Sequence, residues 1–71
     1  MLWEALSHRR LSALLASLNR QHASLQRTLR ALERDGVEPA TDSLYRHLQE
    51  AADTIADARF LLRRKLRRNG D

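Results

Sequence analysis

The chain has no cysteine, a single proline, two glycines and one each of Trp, Tyr and Phe among its 71 residues. Without cysteine, neither a disulfide staple nor a thiolate metal site can hold it together, and three scattered histidines are a poor substitute. It also lacks an apolar run near the length of a membrane span, a secretory leader pattern and any Ser, Gly or Gln tract. A soluble cytoplasmic protein, a single domain over residues 1–71 with no membrane insertion, is therefore expected. So short a chain buries a smaller share of its surface than a larger domain does, so help from a partner chain is expected too.

What is present suits helix. Arg supplies 12 of the 13 basic residues, and Ala and Leu dominate the remainder. Leu11, Leu18, Leu25 and Leu32 recur seven apart, Leu15 and Leu29 follow alternate members by four, and His8 and His22 occupy the same row as Leu15 and Leu29. Asp35-Gly36 then offers a helix stop, and Pro39 cannot sit in a helix interior. Thr41 or Asp42 can cap a second helix, whose stripe reads Leu44, Leu48, Ala51, Ile55, Ala58, Leu62 and Leu66. The pattern predicts an all-α, antiparallel two-helix hairpin, with helices at about 5–35 and 41–68 joined by about five residues. Folding back near Glu38 sets residue i against about residue 76 minus i, so Leu32 meets Leu44 and Leu18 meets Ala58.

One seam cannot absorb all the apolar residues. Leu14, Tyr45, Ala52, Phe60 and Leu61 fall off the stripe and require a second surface. Met1, Leu2, Trp3 and Leu6 extend beyond the hairpin, where they either fold over its open end, stay loose, or let Trp3 anchor a partner. Charge is segregated as well: residues 1–34 carry net +4, residues 35–57 net −5 and residues 58–71 net +5. Acids at the start of the second helix face Arg27, Arg30 and Arg34, which favours the antiparallel register. At the other end Arg9 and Arg10 lie beside Arg63, Arg64, Lys65, Arg67 and Arg68. This basic patch fits an acidic protein surface, nucleic-acid phosphates or simple solvation at a helix C-terminus. No stacking aromatics interleave it, and no zinc finger, RNP motif or zipper accompanies it, so nucleic acid is not the expected partner.

Candidate chemistry is sparse. His8 and His22 are about 21 Å apart along one helix, too far to share a metal, and His47 pairs away from His22. Glu50, Asp53 and Asp57 read as ion-pair partners on a solvent face. With no phosphate-binding Gly loop and no nucleophile beside a base, no enzyme activity, catalytic residue, metal or cofactor is expected.

The turn Asp35-Gly36-Val37-Glu38-Pro39, followed by Tyr45, Leu48-Gln49, Ala52 and Ile55 and then Leu61-Leu62, resembles the small helical-hairpin co-chaperones of bacterial type III secretion. Length and architecture agree over the whole chain and the motif over about half; the five residues between Pro39 and Tyr45 and the basic end depart from the pattern. The resemblance implies a cytoplasmic, non-enzymatic protein that binds a larger chaperone of tetratricopeptide-like repeats and, with it, keeps the secretion needle subunit soluble. By position it implies partner contacts at Tyr45, Leu48, Ala52 and Ile55, continued by Leu61 and Leu62. Leu48, Ile55 and Leu62 read rather as intramolecular core, whereas Tyr45, Ala52 and Leu61 lie off the seam and are the expected interface. Two rivals are a homodimeric four-helix bundle that binds RNA or DNA, and a needle subunit proper, which the Arg-rich ending argues against.

Overall fold

The computed structural model describes residues 7–70, with side chains to residue 68. The described residues form an all-α antiparallel hairpin of two helices, α1 (His8–Arg34) and α2 (Ser43–Gly70), 47 Å long and 18 by 17 Å across. Neither helix is long and apolar enough to cross a membrane.

Three local devices set the ends. Ser7 is extended and its Oγ accepts the Arg10 backbone N–H at 3.2 Å, so α1 starts at His8 rather than near residue 5. At the far end Gly36 takes φ +92°, and the Gly36 and Val37 N–H groups donate back to the carbonyls of Glu33 and Leu32, each at 3.0 Å. This paired closure satisfies the last free carbonyls and turns the chain sharply, a conformation that costs glycine little. The connection then runs from Asp35 to Asp42, eight residues instead of the expected five. The extra length is one helical turn in which the Asp42 N–H donates to the Glu38 carbonyl at 3.0 Å. Pro39 occupies the first position of that turn, where its missing N–H is not needed. Asp42 caps α2, its Oδ1 accepting the Tyr45 N–H at 2.8 Å, which moves the helix start from the expected residue 41 to Ser43.

The stripe expected on α1 is observed from Leu11 onward: Leu11 and Leu29 are buried, and Leu15, Leu18, His22, Leu25 and Leu32 are half-buried, while His8 at the helix start is exposed. On α2 the inward face is rotated from the expected one. Ala52 and Leu62 are the buried residues, with Tyr45, Leu48, Ile55, Arg59 and Leu66 half-buried around them, while Leu44 and Ala51 are exposed. These inward positions alternate three and four residues apart without a break, the spacing that keeps a helix stripe on its partner over about six turns. The expected stripe ran through Leu44, Ala51 and Ala58, the neighbouring row, where the structure has Tyr45, Ala52 and Arg59. Among the described residues two side-chain hydrogen bonds cross the seam, from Tyr45 Oη to Glu33 Oε2 at 2.8 Å and from Arg59 Nη1 to Asn19 Oδ1 at 3.2 Å. Both join residues whose numbers sum to 78, two residues beyond the expected register, as the longer connection requires.

Candidate protein-binding face

The rotation of α2 decides which side chains are left outside. Leu14 is 42% exposed, Leu44 59% and Leu61 61%, large values for leucines in a folded chain. Leu44, Ala51, Ala58 and Lys65 are seven apart on one flank of α2, with His47, Thr54 and Leu61 on the next row out. Leu14, Leu18, Ala58, Leu61, Leu62 and Lys65 together line an open groove of about 380 Å³ between the helices. Leu14 therefore borders the same broad face as the Leu44 flank, and the rows of α1 on that side hold Gln21 and Thr28, with Ser17 and Ser24 beyond.

This face has two properties that matter for binding. Between Arg10, Lys65 and Arg68 at the open end and Asp35 at the turn, the rows that form it carry no Asp, Glu, Lys or Arg. Four of its polar side chains, Gln21, Thr28, His47 and Thr54, are already hydrogen-bonded within their own helices. Thr28 Oγ1 donates to the Ser24 carbonyl and Thr54 Oγ1 to that of Glu50, at 3.1 and 3.0 Å. Gln21 Nε2 donates to Ser17 Oγ at 3.1 Å, and His47 Nδ1 lies 2.9 Å from the Ser43 carbonyl. Covering the face would thus strand few unmet donors or acceptors, and desolvation is cheap.

The opposite side is polar. It carries the Tyr45–Glu33 and Asn19–Arg59 bonds, and Gln49 donates to Asp53 at 3.1 Å. The hydrogen bond to Glu33 raises the Tyr45 phenol above its ordinary 10.0, with burial and the Glu33 charge adding to it. Arg59 is half-buried in the seam, and its Nε has no partner. Phe60, 58% exposed, projects away from the seam with the Arg64 guanidinium 5.8 Å from its ring centre.

The expected partner contacts divide accordingly. Leu61 is on the open face. Leu48 and Ile55 are half-buried in the seam, and Leu62 is buried there. Ala52 has no exposed surface, so it belongs to the core and not to the off-stripe group in which its spacing had placed it. Tyr45 is likewise a seam residue, tied to Glu33 across the hairpin. Trp3 lies outside the described residues. Leu44 is the interface candidate that the sequence pattern missed; the unbroken three-four alternation through Arg59 was the signal that would have revealed it. Basic residues gather at the open end, where Leu61, Arg64, Lys65 and Arg68 border a second shallow depression. Among the described residues no group of three or more His, Asp or Glu could hold a metal ion.

No protein-family model, curated relative or solved structure matches the chain.

Proposed function

We propose that this chain is a non-enzymatic co-chaperone of a bacterial type III secretion system, acting in the cytoplasm. Its uncharged face docks on a larger chaperone of tetratricopeptide-like helical repeats, and the pair keeps the needle subunit soluble before export. The observation that carries this reading is the face itself: Leu14 and Leu61 line an open apolar groove, Leu44 stands in water further along the same face, and Thr28 and Thr54 between them are already hydrogen-bonded. A hairpin has one seam, and a helical-repeat partner presents grooves into which a second pair of helices can lay such a face. The turn and α2 motif shared with the co-chaperones supports the same reading. Partner contact is assigned to Leu14, Leu44 and Leu61, with Leu48 and Ile55 reached at the edge of the seam.

Co-expression with a helical-repeat chaperone encoded beside the gene tests the proposal. A stable one-to-one complex is expected, lost in Leu61→Asp while the helical circular dichroism of the isolated variant is unchanged. Wild-type protein that does not co-purify with any such chaperone, or a complex indifferent to Leu61→Asp and Leu14→Asp together, overturns it. The convergence of Arg9 and Arg10 with the basic end of α2 favours the second reading, a regulator that binds RNA or DNA. That reading requires affinity that falls steeply with salt, by about tenfold or more between low and physiological ionic strength.

A further inference from the structure

We infer that, in the absence of its partner, a second copy of this chain covers the uncharged face, the two hairpins packing antiparallel as a four-helix bundle. The inference rests on the assignment of that face as the docking surface and adds what occupies it in the free protein. Area is the first argument. The hairpin's broad side measures 47 by 18 Å, long and wide enough to hold an interface of the ~800 Å² that each partner contributes to a standard stable complex. Desolvation is the second, since Thr28, Thr54, Gln21 and His47 keep their own intrahelical hydrogen bonds when covered.

Charge selects the direction. A two-fold axis along the helices would bring Arg10, Lys65 and Arg68 of both copies to one end, six cations around the groove. A two-fold axis across the helices separates them and sets each basic end over the other copy's turn, where Asp35 and Glu38 are exposed. The same axis stacks α1 on α1 and α2 on α2, each reversed about its midpoint. Gln21, midway between His8 and Arg34, then lies near its own copy, and Leu14 lies over Thr28. On α2 the same axis passes near Asp57, the residue level with Gln21, so Leu61 lies nearest the other copy's Thr54, and the small side chains of Ala51, Thr54 and Ala58 let the backbones approach closely. The arrangement is isologous and closes on itself, so it stops at two copies.

The absence of cysteine makes a direct test possible. Light scattering of the purified chain at about 100 μM should give twice the monomer mass, reverting to monomer in Leu61→Glu with its helical content intact. Single-cysteine variants treated with a short bis-maleimide fix the geometry: Gln21→Cys should cross-link to itself, whereas Leu14→Cys and Thr28→Cys should cross-link only when mixed. A monomer at that concentration overturns the dimer, and efficient self-linkage of Leu14→Cys overturns the antiparallel arrangement. A wild-type monomer that still binds the repeat chaperone sinks this inference and leaves the co-chaperone reading standing. A cross-linkable antiparallel dimer that binds no such chaperone does the reverse.

Discussion

Leu29 and Leu44 are chemically identical, and the heptad-like pattern assigns both to the seam, yet Leu29 is 2% exposed and Leu44 59%. Truncating each to Ala isolates that difference. Removing a leucine side chain from an enclosed, well-packed site costs roughly 3–5 kcal/mol, lost transfer energy plus the cavity left behind. A two-helix seam relaxes more readily than a deep core, which places Leu29→Ala near the lower end, at about 3 kcal/mol. For Leu44, three methylene equivalents at about 0.8 kcal/mol each, scaled to the two-fifths of its surface that is covered, give at most about 1 kcal/mol. Domains of this size have only about 4–10 kcal/mol of total stability, so the first loss is a large fraction of the whole. At about 4–8 °C per kcal/mol, Leu29→Ala should lower Tm by at least ~12 °C and Leu44→Ala by less than ~8 °C. The assay is thermal unfolding followed by far-ultraviolet circular dichroism, at low micromolar protein so that association at the open face adds nothing. Equal losses, or a larger one at Leu44, would place Leu44 in the seam and refute the rotation of α2.

Other features are testable separately. Gly36→Ala should destabilise by about 1–2 kcal/mol, because φ +92° is a left-handed conformation and the cost is purely conformational: a Cβ there meets nothing within 4 Å. Urea unfolding measures it, and a loss below about 0.3 kcal/mol would show that the turn closes differently. Arg59→Leu should be neutral or stabilising by roughly 1 kcal/mol, since it removes the buried, unpartnered Nε from an otherwise apolar seam position; a substantial loss of Tm would mean that Arg59 is better compensated than its bond to Asn19 shows. The single tyrosine should titrate above its ordinary 10.0 and move back down in Glu33→Gln, read by absorbance at alkaline pH. Because the folded form holds the phenolic proton more tightly than the unfolded chain, this contribution is complete below the unfolded value. It is lost as pH rises through the higher folded one. An unmoved titration in Glu33→Gln would break the link between the two residues.

Much of this architecture was legible in the amino-acid order alone. The seven-residue recurrence of Leu11, Leu18, Leu25 and Leu32 is a property of local geometry: a helix places those side chains on one stripe whatever surrounds it. Asp35-Gly36 and Asp42 act within a few residues of themselves, as a helix stop needing positive φ and as a carboxylate within reach of free amides. Two helices joined by a short turn have one way to return. The phase of α2 was not legible in this way. Leu44, Ala51 and Ala58 compete with Tyr45, Ala52 and Arg59 for the seam, and hydrophobicity favours the first row. The second row wins because it ends on Leu66 where the first would end on Lys65, and because each polar member gains a bond across the seam, Tyr45 to Glu33 and Arg59 to Asn19. That balance depends on which residues α1 presents at the same height, information that only the docked pair of helices contains. Sequence alone determined that this is a helical hairpin with more apolar surface than one seam can hide. Packing decided which leucines stay in water, and thereby where a partner can be received.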